Sequence, residues 1–180
     1  VTVKYLEKDS TPDDNSDNKV LAPEETINGY IGKEYTTEEK DIQGYTFVES
    51  TENTEGKMTE EPIEVIYYYA QNTKVIVKYL EKDNTPDNNE DNKVLAKEET
   101  IEGYEEKEYK TEEKDIQGYT FVESTDNTEG KMTKEPIEVI YYYAQNTTVR
   151  VQHIDKETGE ILKETIHEGK VGDICKTHAE

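Results

Sequence analysis

Tryptophan is absent from the 180 residues, cysteine occurs once and proline five times. The single Cys175 excludes an internal disulfide and a cysteine-based metal site. Basic residues are scarce: 21 Lys and Arg stand against 43 Asp and Glu, a formal net charge of -22. A nucleic-acid partner is thereby excluded, since phosphates need basic density to neutralise them. No apolar run exceeds a few residues, so no helical segment inserts in a membrane. The opening VTVKYLEKD reads as a strand rather than a signal peptide, and the pattern begins and ends as an excised piece would. Only 31% of residues are hydrophobic, a proportion usual in disordered chains.

A repeat overturns that last inference. Shifted by 74 positions, residues 1–74 and 75–148 differ at 12 positions and match at 62, without a gap. A third unit, 149–180, opens with the same strand-like phrase, and its first turn is shortened to TGEIL. All 14 tyrosines fall in the two full copies, seven in each. Within a copy the apolar residues cluster in alternating runs. Val1, Val3 and Tyr5 alternate with Thr2, Lys4 and Leu6; Ile63, Val65, Tyr67 and Tyr69 form a second series. A two-residue period of β-branched and aromatic side chains predicts strands with one buried face. Shorter strands are expected at Val20–Ala22 and Tyr45–Val48. The polar stretch Thr37–Ile42 is expected to form a helical turn or two, capped by Thr36 or Thr37. Thr36 and Glu39 have capping-box spacing, which Lys110 breaks in the second copy.

The expected core of the first copy is Val1, Val3, Tyr5, Leu21, Ile27, Tyr35, Ile42, Tyr45, Phe47, Val65, Tyr67 and Tyr69, repeated 74 positions later. Tyrosine rings would supply most of the buried area, with hydroxyls turned to water or backbone. About four residues, with no Gly/Pro/Ser spacer, separate the strand IEVIYYYA from KVIVKY. Such a tie predicts a monomeric elongated rod of copies that fold alike and independently, with function carried by multivalency rather than by a duplicated catalytic site.

The series Val1, Val3, Tyr5; Val20, Leu21; Gly29, Tyr30; Gly32, Tyr35; Gly44, Tyr45; Gly56; Tyr67, Tyr69 resembles the MucBP (mucin-binding protein) repeat of Gram-positive cell-wall surface proteins. It recurs as Val75, Val77, Tyr79, Val94, Leu95, Gly103, Tyr104, Tyr109, Gly118, Tyr119, Gly130, Tyr141 and Tyr143, and reopens at Val149 and Val151. The resemblance implies an α+β, β-rich fold of tandem ubiquitin-like β-grasp repeats, each of roughly four strands and a short helix or crossing. Their bounds would be 1–74, 75–148 and a truncated 149–180. It also implies an extracellular, cell-wall location and an adhesion module that binds host mucin or another glycoprotein. The alternative is a stalk that projects another domain and binds nothing itself. No catalytic residue and no cofactor follow from it; neighbouring repeats are expected partners. Two departures stand out: Glu106 replaces Gly32, and Cys175 and His153 stand where Tyr35 and Tyr5 stand.

One metal candidate arises from the residues themselves. Residues 13–24 and 87–98 place oxygen donors at loop positions 1, 3, 5 and 12: Asp13, Asn15, Asp17 and Glu24, then Asp87, Asn89, Asp91 and Glu98. That spacing is similar to a calcium-binding EF-hand loop. Asn18 and Asn92 occupy the turn-glycine position, and Pro23 with a strand-like KVLA stands where a helix should leave. The competing reading is a solvated acidic insertion. The histidines at 153, 167 and 178 and the acids Glu38, Glu39 and Asp41 read as unassembled surface groups. Tyr68, opposite in phase to Tyr67 and Tyr69, reads first as part of a sheet whose two faces are both partly covered; the competing reading is an exposed ring that stacks on a sugar or packs a neighbouring repeat. Long-range repulsion from -22 opposes sialylated or sulfated glycans.

Overall fold

The computed structural model describes residues 1–9, 15–82 and 91–177. Among the described residues the protein is all-β: a mixed sheet with 55% strand and 0% helix. The expected helix-containing β-grasp is therefore corrected. The segment expected to be helical shows why.

In the first copy β1 (Thr2–Glu7) pairs antiparallel with β2 (Val20–Thr26). Its other edge lies parallel to β6 (Glu64–Glu81), with Val3 opposite Val65 and Tyr5 opposite Tyr67. The outer edge of β6 takes β4 (Tyr45–Ser50) antiparallel, with a register shift at Phe47/Glu49. Two three-residue strands, β3 (Glu34–Thr36) and β5 (Glu55–Lys57), form a separate ribbon. Pro23 is accommodated because β2 is an edge strand, where a missing N–H costs no ladder bond.

The parallel β1–β6 pair needs a crossing connection, and residues 37–44 provide part of it without a helix. The Thr37 amide donates to the Thr54 carbonyl at 2.8 Å, and the Thr37 hydroxyl meets the Tyr67 hydroxyl at 2.8 Å. The Lys40 amide donates to the Tyr69 hydroxyl at 2.8 Å, which in turn donates to the Lys40 carbonyl at 3.0 Å. Backbone groups that a helix would pair within itself are taken by core tyrosines and a neighbouring loop. Thr36 belongs to β3 and caps no helix.

The core is close to the expected one. Val3, Tyr5, Tyr35, Val65, Tyr67 and Tyr69 are buried, with Val1, Leu21, Ile27, Ile42 and Tyr45 packed partly against them. Met58 belongs to the same cluster, and Leu6 and Ile66 are also buried. Phe47 remains 36% exposed, yet its ring lies 6.0 Å from Tyr67 and 5.9 Å from Tyr69. The Tyr5 and Tyr67 rings stack 5.8 Å apart, and Lys40 Nζ sits 4.2 Å from the Tyr5 ring centre.

The expected four-residue joint is absent. Strand β6 runs unbroken for 18 residues, so QNT lies inside a strand. The same occurs in β11 (Ile137–Ile154). The second copy adds β7 (Glu99–Tyr104), β8 (Glu108–Lys110), β9 (Tyr119–Ser124) and β10 (Glu129–Lys131). Strand β12 (Ile161–Lys170) closes a hairpin with β11. Its shortened turn is held by Asp155, whose carboxylate accepts from the amides of Glu157 and Thr158 at 2.8 and 2.7 Å.

The chain divides into two compact units. One is Val1–Lys74 with Ile101–Tyr109 and Lys131–Ile137; the other is Val75–Thr100, Lys110–Gly130 and Glu138–Glu180. Two segments of the second copy thus belong with the first.

Glu106 shows how closely the copies conserve a turn. Gly32 has φ +86° and Glu106 has φ +69°. The second copy keeps the left-handed turn that the glycine allows, so the turn is not loosened; the Glu106 amide still donates to the Met132 carbonyl at 2.9 Å. A side chain in that region costs about 1–2 kcal/mol. The exposed Glu106–Lys131 pair offsets little of this. Glu106→Gly should therefore raise stability by about 1 kcal/mol after the flexibility of unfolded glycine is subtracted. A urea melt checks it; an unchanged or lower midpoint would show that Glu106 is not strained.

Candidate functional site

The acidic loop does not assemble as a calcium cage among the described residues. Asp13, Asp87 and Asn89 lie outside them. Asn15 Oδ1 accepts from the Tyr68 hydroxyl at 3.1 Å and from Asn18 Nδ2 at 3.4 Å, so it serves the loop's own bonding. Asn15 and Glu24 line one recess of about 210 Å³ with Lys4, whose cation opposes a metal there. Asp17 is exposed and is not among the residues that line it. Glu24 sits in extended β2, with no exiting helix. In the second copy Asp91 and Glu98 are both exposed. Among the described residues no group of three or more His, Cys, Asp or Glu is placed to hold a metal.

The two histidines among the described residues are not assembled either, and His178 lies outside those residues. His153 faces Lys163, whereas His167 faces Val149, toward the other end of the β11–β12 hairpin. Cys175, aligned with buried Tyr35, is exposed and unpaired with any other cysteine.

Tyr68 is half-buried, and its hydroxyl is used by Asn15. The exposed aromatic is elsewhere. Tyr30 and Ile31 are 75% and 69% exposed at the tip of the turn that leads into β3. The Lys33 amide donates to the Tyr30 carbonyl at 3.0 Å, and the Gly32 amide donates to the Met58 carbonyl at 2.8 Å. A left-handed glycine and two backbone bonds therefore hold an uncovered ring and an aliphatic side chain on a fixed turn. Gly29 allows the close packing beneath, since a Cβ there would collide with the Met58 thioether. The sequence carried the signal: an aromatic between Gly29 and Gly32 lies in a turn, where nothing obliges it to be core.

Electrostatics are otherwise local. Burial, nearby Glu25 and neighbouring tyrosines push the Tyr5 phenol up to about 12. Burial, with Glu99 bonded to its hydroxyl at 2.9 Å, raises Tyr79 further. These groups stay neutral at ordinary pH and act as fixed donors and acceptors.

A β repeat whose core is pinned by buried tyrosines agrees with the comparisons. The MucBP domain profile matches residues 1–70 and again 74–144. The chain belongs to the MucBP domain family. Members are non-catalytic surface domains of extracellular, cell-wall-associated proteins, with a general role in bacterial surface adhesion. Internalin J of Listeria monocytogenes serotype 4b (strain F2365) is 32% identical over 182 residues, 96% of this chain and 18% of its own length. Internalin J of serovar 1/2a (strain ATCC BAA-679 / EGD-e) is 32% identical over 186 residues, 99% of this chain and 20% of its own. The chain spans about a fifth of these relatives. A solved structure of Streptococcal High Identity Repeats in Tandem (SHIRT) domains 3-4 from a cell surface protein is 16% identical. The match covers 79% of this chain and 96% of that one, at a TM-score of 0.26, too low to bear on the fold.

Proposed function

We propose that this MucBP chain is an adhesion module that holds host mucin or another glycoprotein through tandem repeats 1–74 and 75–148, with 149–180 as a third unit. The observation that carries it is the Tyr30–Ile31 tip: an aromatic face on a rigid turn, 75% exposed at Tyr30. Such a ring offers a stacking surface to a neutral sugar or an apolar anchor for a polypeptide. A charge of -22 disfavours anionic glycans at long range, so desialylated mucin should be retained at least as well as native mucin. Tyr30→Ala should reduce retention of the full chain on immobilised mucin about tenfold with an unchanged melting temperature, as loss of one exposed aromatic anchor does. Retention equal to wild type would remove the tip as the contact. Retention by neither, above an acidic control protein, would favour the spacer reading. One observation supports that second reading: β6 passes from one copy's sequence into the next without a loop, as a connection that transmits force would.

A further inference from the structure

Of the 12 differences between the copies, three line one cleft. Ile31, Gly32 and Glu60 of the first copy become Glu105, Glu106 and Lys134. All three replacements lie in the segments Ile101–Tyr109 and Lys131–Ile137, which belong to the first compact unit. There they face a cleft of about 960 Å³ lined by Lys8, Val48, Ala70, Tyr104, Glu105 and Lys134, among others. The Glu105 amide donates to the Gln71 carbonyl at 2.9 Å. Lys134 Nζ donates to Glu7 Oε1 at 2.7 Å and lies 3.8 Å from Glu105 Oε2.

Glu7 is an unusual acceptor for so exposed a protein. Its side chain is 9% exposed, and its second oxygen accepts from the Tyr45 hydroxyl at 3.1 Å, with Lys19 at 3.9 Å. Lys19 also donates to the Tyr45 hydroxyl at 2.6 Å. Burial alone would raise this carboxyl, but the bonds from Lys134 and Tyr45 hold it below the usual range. Its counterpart Glu81 keeps the same local pair, Tyr119 at 3.4 Å and Lys93 at 3.9 Å, with 28% of its side chain exposed. Among the described residues the ion-pair partner of Glu81 is Lys93. The backbone half of the arrangement does recur, since the Val171 amide donates to the Gln145 carbonyl at 2.8 Å. That contact is the internal reference: the same backbone seat without the lysine.

We propose that Glu7, Tyr45 and the Gln71 carbonyl form a seat for the turn of the copy that follows, and that the residue at position 134 decides which copies occupy it. The partner is a repeat of this kind with a lysine there. A copy with glutamate in that place, as the first copy has at Glu60, would set a second carboxylate against buried Glu7 and be rejected. The order of near-identical copies is thereby written in one charge, and the copies are coupled rather than independent.

The full chain tests this. Because Glu60 occupies the matching place in the first copy, Lys134→Glu is compatible with the local fold. Hydrogen exchange at the Glu105 amide reports opening of the seat. Loss of a charge-assisted bond of this type corresponds to about tenfold or more in such an equilibrium. Lys134→Glu and Lys134→Gln should speed Glu105 exchange at least about tenfold and leave the Val171 amide unchanged, while Lys134→Arg stays near wild type. Glu7→Gln should have a similar effect, and combining it with Lys134→Gln should add nothing more. Smaller changes at Glu105, equal changes at Val171, or additive effects in the double variant would each overturn the proposal.

Discussion

Tyr69→Ala should cost the first unit about 3–5 kcal/mol, the range for truncating a buried aromatic. Tyr69→Phe, which deletes one oxygen, should still cost about 1 kcal/mol, since it leaves two half-buried backbone groups of Lys40 without this partner. A 74-residue copy has roughly 4–11 kcal/mol in total at ordinary stability per residue, so the alanine variant should be largely unfolded under mild denaturation. The Tyr69 ring is 1% exposed and meets Phe47 edge-on. Its hydroxyl both accepts from the Lys40 amide and donates to the Lys40 carbonyl. Two roles separate in two substitutions: the ring fills the core, and the oxygen fixes the crossing strand of chain. Urea melts measure the sum, and exchange at the Lys40 amide isolates the second part. A phenylalanine variant within roughly 0.5 kcal/mol of wild type would mean that water replaces the hydroxyl at no cost, and the crossing is held by other bonds. Tyr143, whose hydroxyl accepts from the Lys114 amide at 2.8 Å, should behave alike for that bond.

That hydroxyl also explains what the sequence could and could not reveal. Alternation of Val and Tyr made β1 and the first half of β6 legible, because period and residue type are local properties of a half-buried strand. The 74-residue shift made the copies legible for the same reason. Residues 37–42 misled because their outcome is not local. Five polar residues followed by Ile42 satisfy a weak helix pattern, and the bonds that decide otherwise come from Thr54, Tyr67 and Tyr69, some 17 to 30 residues away. The unbroken β6 misled in another way. QNT contains no strand former except Thr73, yet Thr73 is 7% exposed and lies within the long strand; neighbours override propensity. Met58 was missed because one methionine among glutamates shows no period. Its place beneath Gly29 appears only when the turn and the ribbon are brought together. As for the site, Tyr30 stood in plain view between two glycines, whereas Tyr68 drew attention through its alternation with core neighbours. Alternation gives the face and says nothing of what covers it.

Raising the pH should unfold this chain in a tyrosine-dependent step between about pH 10 and 12. The sign follows from where the phenols titrate. Unfolded tyrosine loses its proton near 10, whereas folded Tyr5 is pushed up to about 12, chiefly by burial and then by Glu25. Burial likewise raises Tyr69, Tyr109 and Tyr143, and raises Tyr79 together with Glu99. Between the two values the folded state binds more protons than the unfolded state, so stability falls as pH rises. The contribution is complete below pH 10 and is lost as the pH passes the folded values. Several rings spread over both copies titrate late, so their effects accumulate. Ionisation would also place negative charge in a chain that already carries -22, and would turn the Tyr69 hydroxyl from a donor to the Lys40 carbonyl into a repelled neighbour. Tyrosinate absorbance and circular dichroism, recorded together, give the test. Absorbance should rise in two stages, the later one from the buried set and coincident with loss of the strand signal. Tyr5→Phe and Tyr79→Phe should move the second stage upward, because each removes a proton that only unfolding releases. A single smooth titration of all 14 rings near pH 10 with the strand signal unchanged would show that the tyrosines are not what keeps this all-β fold closed.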